Sequence, residues 1–272
     1  RAYYDGKLRK LSERAGELVR AFVAEMNEHE RPDLVIHLGD AIEDQDRERD
    51  LACYQEFLTS FRDLKSEILY LAGNHDLINL SEDDLRLAWG GGYGLCHSQD
   101  RNGYHLVFLT ARHRRSEGRE WIELPSNQLE WLARDLSRPG LPTLIFMHHP
   151  LGEMDLRGNR WFEHETHLCL VANREQVRRV FEQSGRVLAV FCGHVHWNYL
   201  SVVAGIPYVT LQSLIENIDE DSPGRPACST AVVDVEAERI LVRVLGEHPA
   251  RYEFRLPGTS GSIPVEPWAS AR

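Results

Sequence analysis

The segment AVFCGHVH (residues 189–196) decides the fold, because a short apolar run stops abruptly at a glycine and two histidines. An apolar run of this length, bounded by polar residues, is typical of a strand buried on both faces. We therefore predict a strand from Val187 to Cys192, with His194 and His196 just beyond its carboxyl end. In open α/β sheets, the carboxyl ends of strands form the ligand-binding edge.

Three further segments have the same design, since each apolar run ends in side chains that bind divalent cations. They are LVIHLGD (residues 34–40), LYLAGNHD (residues 69–76) and LIFMHHP (residues 144–150). Glycine allows the backbone to turn sharply after two of these strands and to approach a ligand closely. Polar side chains that are distant in sequence are thereby predicted to converge at one edge of a sheet.

Helical and strand patterns alternate along the chain, which predicts a layered α/β fold. Apolar residues recur at helical spacing over residues 5–29, 51–65, 127–136 and 173–184. Strands are predicted over residues 34–38, 68–72, 104–110, 143–147 and 187–192. The chain then becomes β-rich, with strands predicted over residues 199–203, 208–211, 231–235 and 240–244.

The composition indicates a folded protein and argues against extended nucleic acid as a partner and against a membrane span. Of 272 residues 42% are hydrophobic, which predicts a folded core. The net charge of −11 opposes binding of extended nucleic acid. No apolar run reaches about 18 residues, so we expect no membrane span. The five cysteines contain no CxxC pair, which favours free thiols and a cytoplasmic protein.

The candidate metal ligands are a carboxylate, an amide and three imidazoles: Asp40, Asn74, His148, His194 and His196. Such donors suit Mn, Fe, Co or Zn, and the absence of thiolates among them disfavours a structural zinc site. The two oxygens of Asp40 could bridge two ions about 4 Å apart. If the segment after Cys192 is extended, His194 and His196 face the same side.

Taken together and in order, the four segments resemble the motif blocks of calcineurin-like metallophosphoesterases, over residues 31 to about 215. This resemblance implies an α/β fold in which a β-sandwich is flanked by helices, in αββα layers. It also implies a single domain over residues 1–256, followed by a C-terminal tail over residues 257–272.

The resemblance implies a site with two divalent metal ions, Mn, Fe, Zn or Co. Asp40 would bridge both ions. Asn74, His148 and His194 would complete the shell of one ion, and His196 would bind the other.

The resemblance also implies catalytic roles for the residues beside Asn74. His75 would lie over the substrate phosphate as an electrostatic stabiliser or as the proton donor to the leaving group, and Asp76 would orient His75. The nucleophile would be a metal-bound hydroxide, because metal ions lower the pKa of bound water to near neutrality.

Two polar segments adjoin the candidate ligands. The loop over residues 151–168 follows His148 and is predicted to contact substrate through Arg157, Arg160, Trp161, His164 and His167. An ordinary solvated loop is the alternative. An acidic run, Glu43 to Glu48, follows Asp40 and either disfavours polyanionic substrates or forms a solvated face.

One motif of the resembled family is missing from this sequence. The family opens with a strand ending in Asp-x-His, which supplies two ligands to the first metal, and no such pair precedes the first predicted helix. Either that strand lies upstream of Arg1 or it has been lost. We expect the first, since loss of a central strand would expose apolar surface and an open sheet edge.

We therefore expect a metal-dependent phosphoesterase that hydrolyses a small phosphodiester or nucleotide-type substrate. A phosphomonoesterase with the same site, or a non-catalytic scaffold of the same fold, remains an alternative. A homo-oligomer is compatible with the sequence.

Overall fold

A mixed six-stranded sheet lies at the centre of the computed structural model, which describes residues 3–219 and 221–256. The predicted tail over residues 257–272 lies outside the described residues. The helices are α1 (Ala15–Glu25), α2 (Arg47–Ser60), α3 (Asp76–Asn79), α4 (Glu82–Ala88), α5 (Ser126–Ser137) and α6 (Arg174–Ser184).

The strands are β1 (Tyr3–Tyr4), β2 (Lys7–Leu8), β3 (Leu34–His37), β4 (Glu67–Tyr70), β5 (His97–Arg101), β6 (Tyr104–Leu109), β7 (Arg112–Ser116), β8 (Arg119–Glu123), β9 (Thr143–Met147), β10 (Val187–Cys192), β11 (Tyr199–Val203), β12 (Ile206–Thr210), β13 (Thr230–Val235), β14 (Arg239–Leu245) and β15 (Ala250–Arg255).

The central sheet has the order β11-β12-β10-β9-β6-β5. Strands β6, β9, β10 and β12 are parallel to one another, and the two edge strands are antiparallel to their neighbours. Because β9 and β10 are parallel, the residues after Met147 and after Cys192 meet at the same edge of the sheet. This edge holds three of the predicted metal ligands.

A second β layer packs on one face of the central sheet. It contains the parallel pair β3–β4 and the antiparallel sheet β13-β14-β15, which are separate sheets in the described part of the chain. The core between the two layers contains residues of the central sheet together with residues of β4 and β14, among them Leu69, Phe108, Phe146, Phe191 and Val242. This packing makes a β-sandwich.

Helices cover the two outer faces of the sandwich. The opposite face of the central sheet packs on α5 and α6, through residues such as Leu132 and Phe181, which have no exposed surface. The outer face of β3–β4 packs on α1 and α2. In strand β6, Val107 faces the helices and the next residue, Phe108, faces the second β layer. Because both faces of such a strand are buried, apolar residues follow one another without interruption. The predicted αββα architecture is confirmed.

The predicted helix over residues 5–29 is wrong in its first part. Residues 3–8 form the β1–β2 hairpin, and α1 begins at Ala15. Asp5 and Gly6 have φ values of 51° and 71°, as a tight two-residue hairpin turn requires. An Asp-Gly pair is a strong local signal for such a turn, and it outweighs the helical spacing of apolar residues that continues further along the chain.

Candidate metal centre

Three predicted ligands lie together at the ends of β3, β9 and β10. The Nε2 atom of His148 lies 3.1 Å from Asp40 Oδ2 and 3.2 Å from His194 Nδ1. The three donor atoms all lie within 4.8 Å of one another. His148 is 3% exposed and His194 is 9% exposed, so the donors are held largely away from water.

Backbone carbonyl groups fix the orientation of these two histidine rings. The Nδ1–H group of His148 donates to Leu38 O at 2.7 Å, and the Nε2–H group of His194 donates to Leu168 O at 3.0 Å. A neutral imidazole carries one proton, so the other nitrogen of each ring has a free lone pair. When both rings are neutral, these lone pairs are directed into the cluster, as metal-ligating histidines require.

Asn74 supplies a fourth candidate donor on the wall of the same cleft. Its Oδ1 atom is buried and accepts no hydrogen bond from any described residue. A buried amide oxygen without a partner costs about 1–3 kcal/mol, so a native structure needs a reason to keep one. Coordination of a cation is such a reason, and an amide oxygen beside a carboxylate and two imidazoles fits Mn, Fe, Co or Zn.

His196 lies on the wall of the cleft but outside the compact group of three donors found in the described chain. Its Nδ1 atom lies 2.6 Å from Glu216 Oε2, so Nε2 is the nitrogen left to face the cleft. Glu216 is 1% exposed and was not predicted from the sequence. It lies in a loop after β12, where no spacing relates it to His196.

The backbone at three of the candidate ligands is left-handed. The φ values are 55° at Asp40, 68° at His194 and 54° at His196. The segment from His194 to His196 is therefore not extended, so the condition from which we argued does not hold, although both side chains do line the same cleft. Such conformations are unfavourable for residues other than glycine, and they cluster at functional sites.

Two glycines let the loops after β3 and β4 approach each other closely. A Cβ atom at Gly39 would lie 2.6 Å from the backbone nitrogen of Gly73, and a Cβ atom at Gly73 would collide with the carboxylate of Asp40. Gly39 also has a φ of 94°. Any larger residue at either position would separate Asp40 from Asn74.

Asp76 joins these two loops instead of orienting His75, which corrects its predicted role. Its carboxylate is completely buried. It accepts backbone N–H groups of Gly73 at 2.8 Å, Asp40 at 2.8 Å and Ala41 at 2.9 Å. Asp76 thus positions the metal-ligand loop through its backbone.

Asp44 is the carboxylate that contacts the His75 ring. Its Oδ1 atom lies 2.5 Å from His75 Nδ1, while the backbone N–H of His75 donates to Asp40 Oδ1 at 2.9 Å. Asp44 belongs to the acidic run that follows Asp40, and its neighbour Glu43 pairs with Lys10. The start of that run is therefore part of the site and not a solvated face.

The electrostatics of the cluster favour an ionised Asp40 paired with His148, beside a neutral His194. Burial lowers the pKa of His148, but the charge of Asp40 and the hydrogen bond between the two side chains outweigh burial and raise that pKa. Burial raises the pKa of Asp40, but the charge of His148 and its hydrogen bond outweigh burial and hold that pKa well below the usual range. Burial, followed by the charge of His148, lowers the pKa of His194 to about 3. Burial and then the charge of Asp40 raise the pKa of Asp76 to about 6.

The cleft over these donors has a volume of about 290 Å³. Besides the site residues, it is lined by Lys10, Ile78, His113, Ile122, Trp161, Phe162 and Leu168. Clefts that bind small molecules are typically about 300–1,000 Å³, so this one suits a small ligand.

The structure brings one of the five predicted loop residues, Trp161, to the cleft. Arg160 donates to Asn217 O at 2.8 Å, behind Trp161. Arg157 pairs with Asp155, with Nε–Oδ2 at 2.9 Å. His164 and His167 are exposed, and His167 lies 3.5 Å from Glu165. The described residues that line the cleft do not include Arg157, Arg160, His164 or His167.

We predict that Asp76→Asn destabilises the metal-free protein by about 1–3 kcal/mol, because an amide offers one acceptor oxygen where the carboxylate serves three buried N–H groups. Urea denaturation measures the change. Asp46→Asn is the matched control, since Asp46 caps α2 at an exposed position by accepting from Arg49 N and asparagine caps equally well. Equal midpoints for Asp76→Asn and wild type would contradict the assigned role.

Comparison with known proteins agrees with this geometry. The profile of the calcineurin-like phosphoesterase family matches residues 12–198. A probable glycerophosphodiester phosphodiesterase of Arcobacter nitrofigilis is 26% identical over 187 residues, which are 64% of this chain and 62% of that protein. The 3′,5′-cyclic adenosine monophosphate phosphodiesterase of Escherichia coli is 27% identical over 169 residues, 60% of this chain and 54% of that protein. The chain therefore spans less than two thirds of the length of either relative.

A solved structure shares the fold. The crystal structure of a dimetal phosphatase from Danio rerio superposes with a TM-score of 0.69, at 18% identity, over 90% of both chains. Since the family profile covers more than half of the chain and includes all of the candidate metal ligands, the chain belongs to the calcineurin-like phosphoesterase family.

Proposed function

We propose that this protein is a metal-dependent phosphodiesterase that acts on a small phosphodiester. The observation that carries the proposal is the convergence of Asp40, His148 and His194 beside the unpartnered carbonyl oxygen of Asn74. A buried carboxylate, an amide oxygen without a partner and two imidazoles are donors that one divalent cation would satisfy together. Both curated relatives named above are phosphodiesterases by name, which supports the diester class.

The described residues divide into two candidate ligand sets that share Asp40. Asn74, His148 and His194 would hold one divalent ion, and His196 would hold the second. When bound, such ions would activate water and neutralise charge on the phosphoryl oxygens. The Asp-x-His pair expected from the family resemblance would add ligands to the ion at His196, which is the first metal in the family's motif order, and the pair stays a prediction.

His75 would supply the proton that the leaving oxygen needs. Its Nδ1–H group donates to Asp44, so the ring is held in one orientation and Nε2 is left for the cleft. The imidazolium form of the ring keeps Nδ1–H on Asp44 and carries a second proton on Nε2. That second proton can pass to the departing alkoxide and leave a neutral ring, a form of general acid catalysis. We assign Asp44, and not Asp76, as the residue that orients His75.

Lys10 would help to bind the anionic ester in a protein whose net charge is −11. It is the only Lys or Arg among the described residues that line the cleft, and it is 7% exposed. Glu43 pairs with its ammonium group. Because Glu43 balances its charge, Lys10 would bind the phosphate as a hydrogen-bond donor, and bound metal ions would supply the positive potential.

Removal of metal tests the proposed chemistry. We expect purified protein stripped with a chelator to lose hydrolysis of bis-p-nitrophenyl phosphate, and Mn²⁺ or another divalent ion to restore it. Hydrolysis of p-nitrophenyl phosphate, measured in parallel, separates a diesterase from a monoesterase. No diester hydrolysis with Mn²⁺, Fe²⁺, Co²⁺ or Zn²⁺ between pH 5 and 9, a window of about two units on each side of neutrality, would refute the proposal.

Replacement of His75 tests the role of the general acid. We expect His75→Ala to lower kcat about 10²- to 10⁴-fold while metal content stays at the wild-type value, because the ring is not among the proposed metal ligands. His29→Ala is the matched control, since the His29 side chain is 64% exposed in the π-helical turn that follows α1 and is not among the described residues that line the cleft. This variant should leave kcat unchanged. A wild-type kcat for His75→Ala would remove His75 from the mechanism.

A further inference from the structure

We propose that Glu216 is a positioning residue that holds His196 as an Nε2 ligand, and that Arg160 and Trp161 hold Glu216 in place. This inference rests on the proposed function, since it concerns the ligand of the second ion. It gives a role to two loop residues that the sequence suggested for substrate contact.

The contact between Glu216 and His196 fixes the proton on the ring. Glu216 Oε2 lies 2.6 Å from His196 Nδ1, and a carboxylate can only accept there. A neutral His196 must therefore carry its proton on Nδ1 and keep its lone pair on Nε2, which faces the cleft. Because Glu216 is 1% exposed, water does not compete for this hydrogen bond.

Trp161 and Arg160 bind the other side of the carboxylate. The indole N–H of Trp161 is shared between Glu216 Oε1 at 3.1 Å and Oε2 at 3.3 Å, and Arg160 Nε lies 3.6 Å from Oε1. The Trp161 ring also packs edge-on against His196, with ring centroids 5.3 Å apart. The loop after β9 thus contacts both the metal-ligand candidate and the carboxylate that orients it.

The backbone at Glu216 is fixed from two directions. Glu216 forms a β-bridge with Lys10, and its carbonyl oxygen accepts from Ala227 N at 2.7 Å. Asn217, which is completely buried, accepts from Arg225 N and donates to Leu8 O, each at 2.9 Å. These contacts fix the backbone from which the Glu216 side chain extends, and Trp161 and Arg160 then hold its carboxylate against the His196 ring.

His196 differs in this respect from the other two histidines. Carbonyl dipoles orient His148 and His194, whereas a full negative charge orients His196. A carboxylate partner raises the basicity of a ligating imidazole, and loss of such a partner typically weakens metal affinity about 10- to 100-fold. Removal of the charge should therefore lower the affinity for the ion at His196. The affinity for the ion at Asp40, His148 and His194 should stay unchanged.

The test is calorimetric titration of the metal-stripped protein with Mn²⁺, for wild type and Glu216→Gln. Glutamine has the shape of glutamate, but its amide group can donate to Nδ1 and so favour the wrong tautomer. We expect one class of site to weaken about 10- to 100-fold in Glu216→Gln and the other class to keep its wild-type affinity.

A second measurement reads the tautomer without metal. Imidazole ¹⁵N chemical shifts of the metal-free protein, with the His196 signals identified by their loss in His196→Gln, should show Nδ1–H in wild type. In Glu216→Gln we expect the signals to shift towards the Nε2–H form. This result does not depend on activity or on bound ions.

Two variants guard against a purely structural effect. Glu165→Gln is the matched control, since Glu165 also pairs with a histidine, His167, at an exposed position outside the cleft, and it should change neither readout. Trp161→Phe keeps an aromatic ring against His196 but removes the N–H donor to Glu216. Trp161→Phe should lower the Mn²⁺ affinity of the same class of site as Glu216→Gln, but by a smaller factor.

Wild-type affinities at both sites and an unchanged His196 tautomer in Glu216→Gln would overturn the inference, as would a tautomer that shifts equally in Glu165→Gln. A wild-type protein that binds no Mn²⁺ would contradict the proposed function. In that case the ¹⁵N shifts of Glu216→Gln would still decide whether Glu216 orients His196.

Discussion

The buried carboxylate of Asp76 is the constraint on which the site depends. Its two oxygens accept the N–H groups of Gly73, Asp40 and Ala41, so one side chain holds together the loops after β3 and β4. These loops carry Asp40 and Asn74 towards His148 and His194. The parallel arrangement of β9 and β10 then brings the two histidines to the same edge. The sheet topology therefore places the two histidines, and Asp76 places the loops that carry Asp40 and Asn74.

Much of the fold could be predicted because buried parallel strands are continuous apolar runs. The predicted bounds of β9, β10 and β11 match the structure, and the resemblance of the four motif segments gave the layer order. Strands β5, β7 and β8 were missed, since their largely polar sequences carry no apolar run. The β1–β2 hairpin was missed because the helical spacing further along the chain was extended over an Asp-Gly turn.

The sequence predicted where the candidate ligands meet, but it did not predict the residues that support them. Asp40, Asn74, His148, His194 and His196 all line or approach one cleft, as their positions at strand ends indicate. The partners of the histidines come from distant loops, so no spacing reveals them. Asp44 and Glu216 are therefore visible only in three dimensions, and Asp76 was assigned to the wrong neighbour because adjacency in sequence does not fix the direction of a side chain.

Whether these donors hold cations is the central question, and anomalous diffraction from crystals soaked in Mn²⁺ answers it most directly. We expect one anomalous peak within coordination distance of Asp40, Asn74, His148 and His194, and a second beside Asp40 and His196. Peaks confined to other surfaces, or the absence of any peak in the cleft at saturating Mn²⁺, would contradict a metal-dependent site.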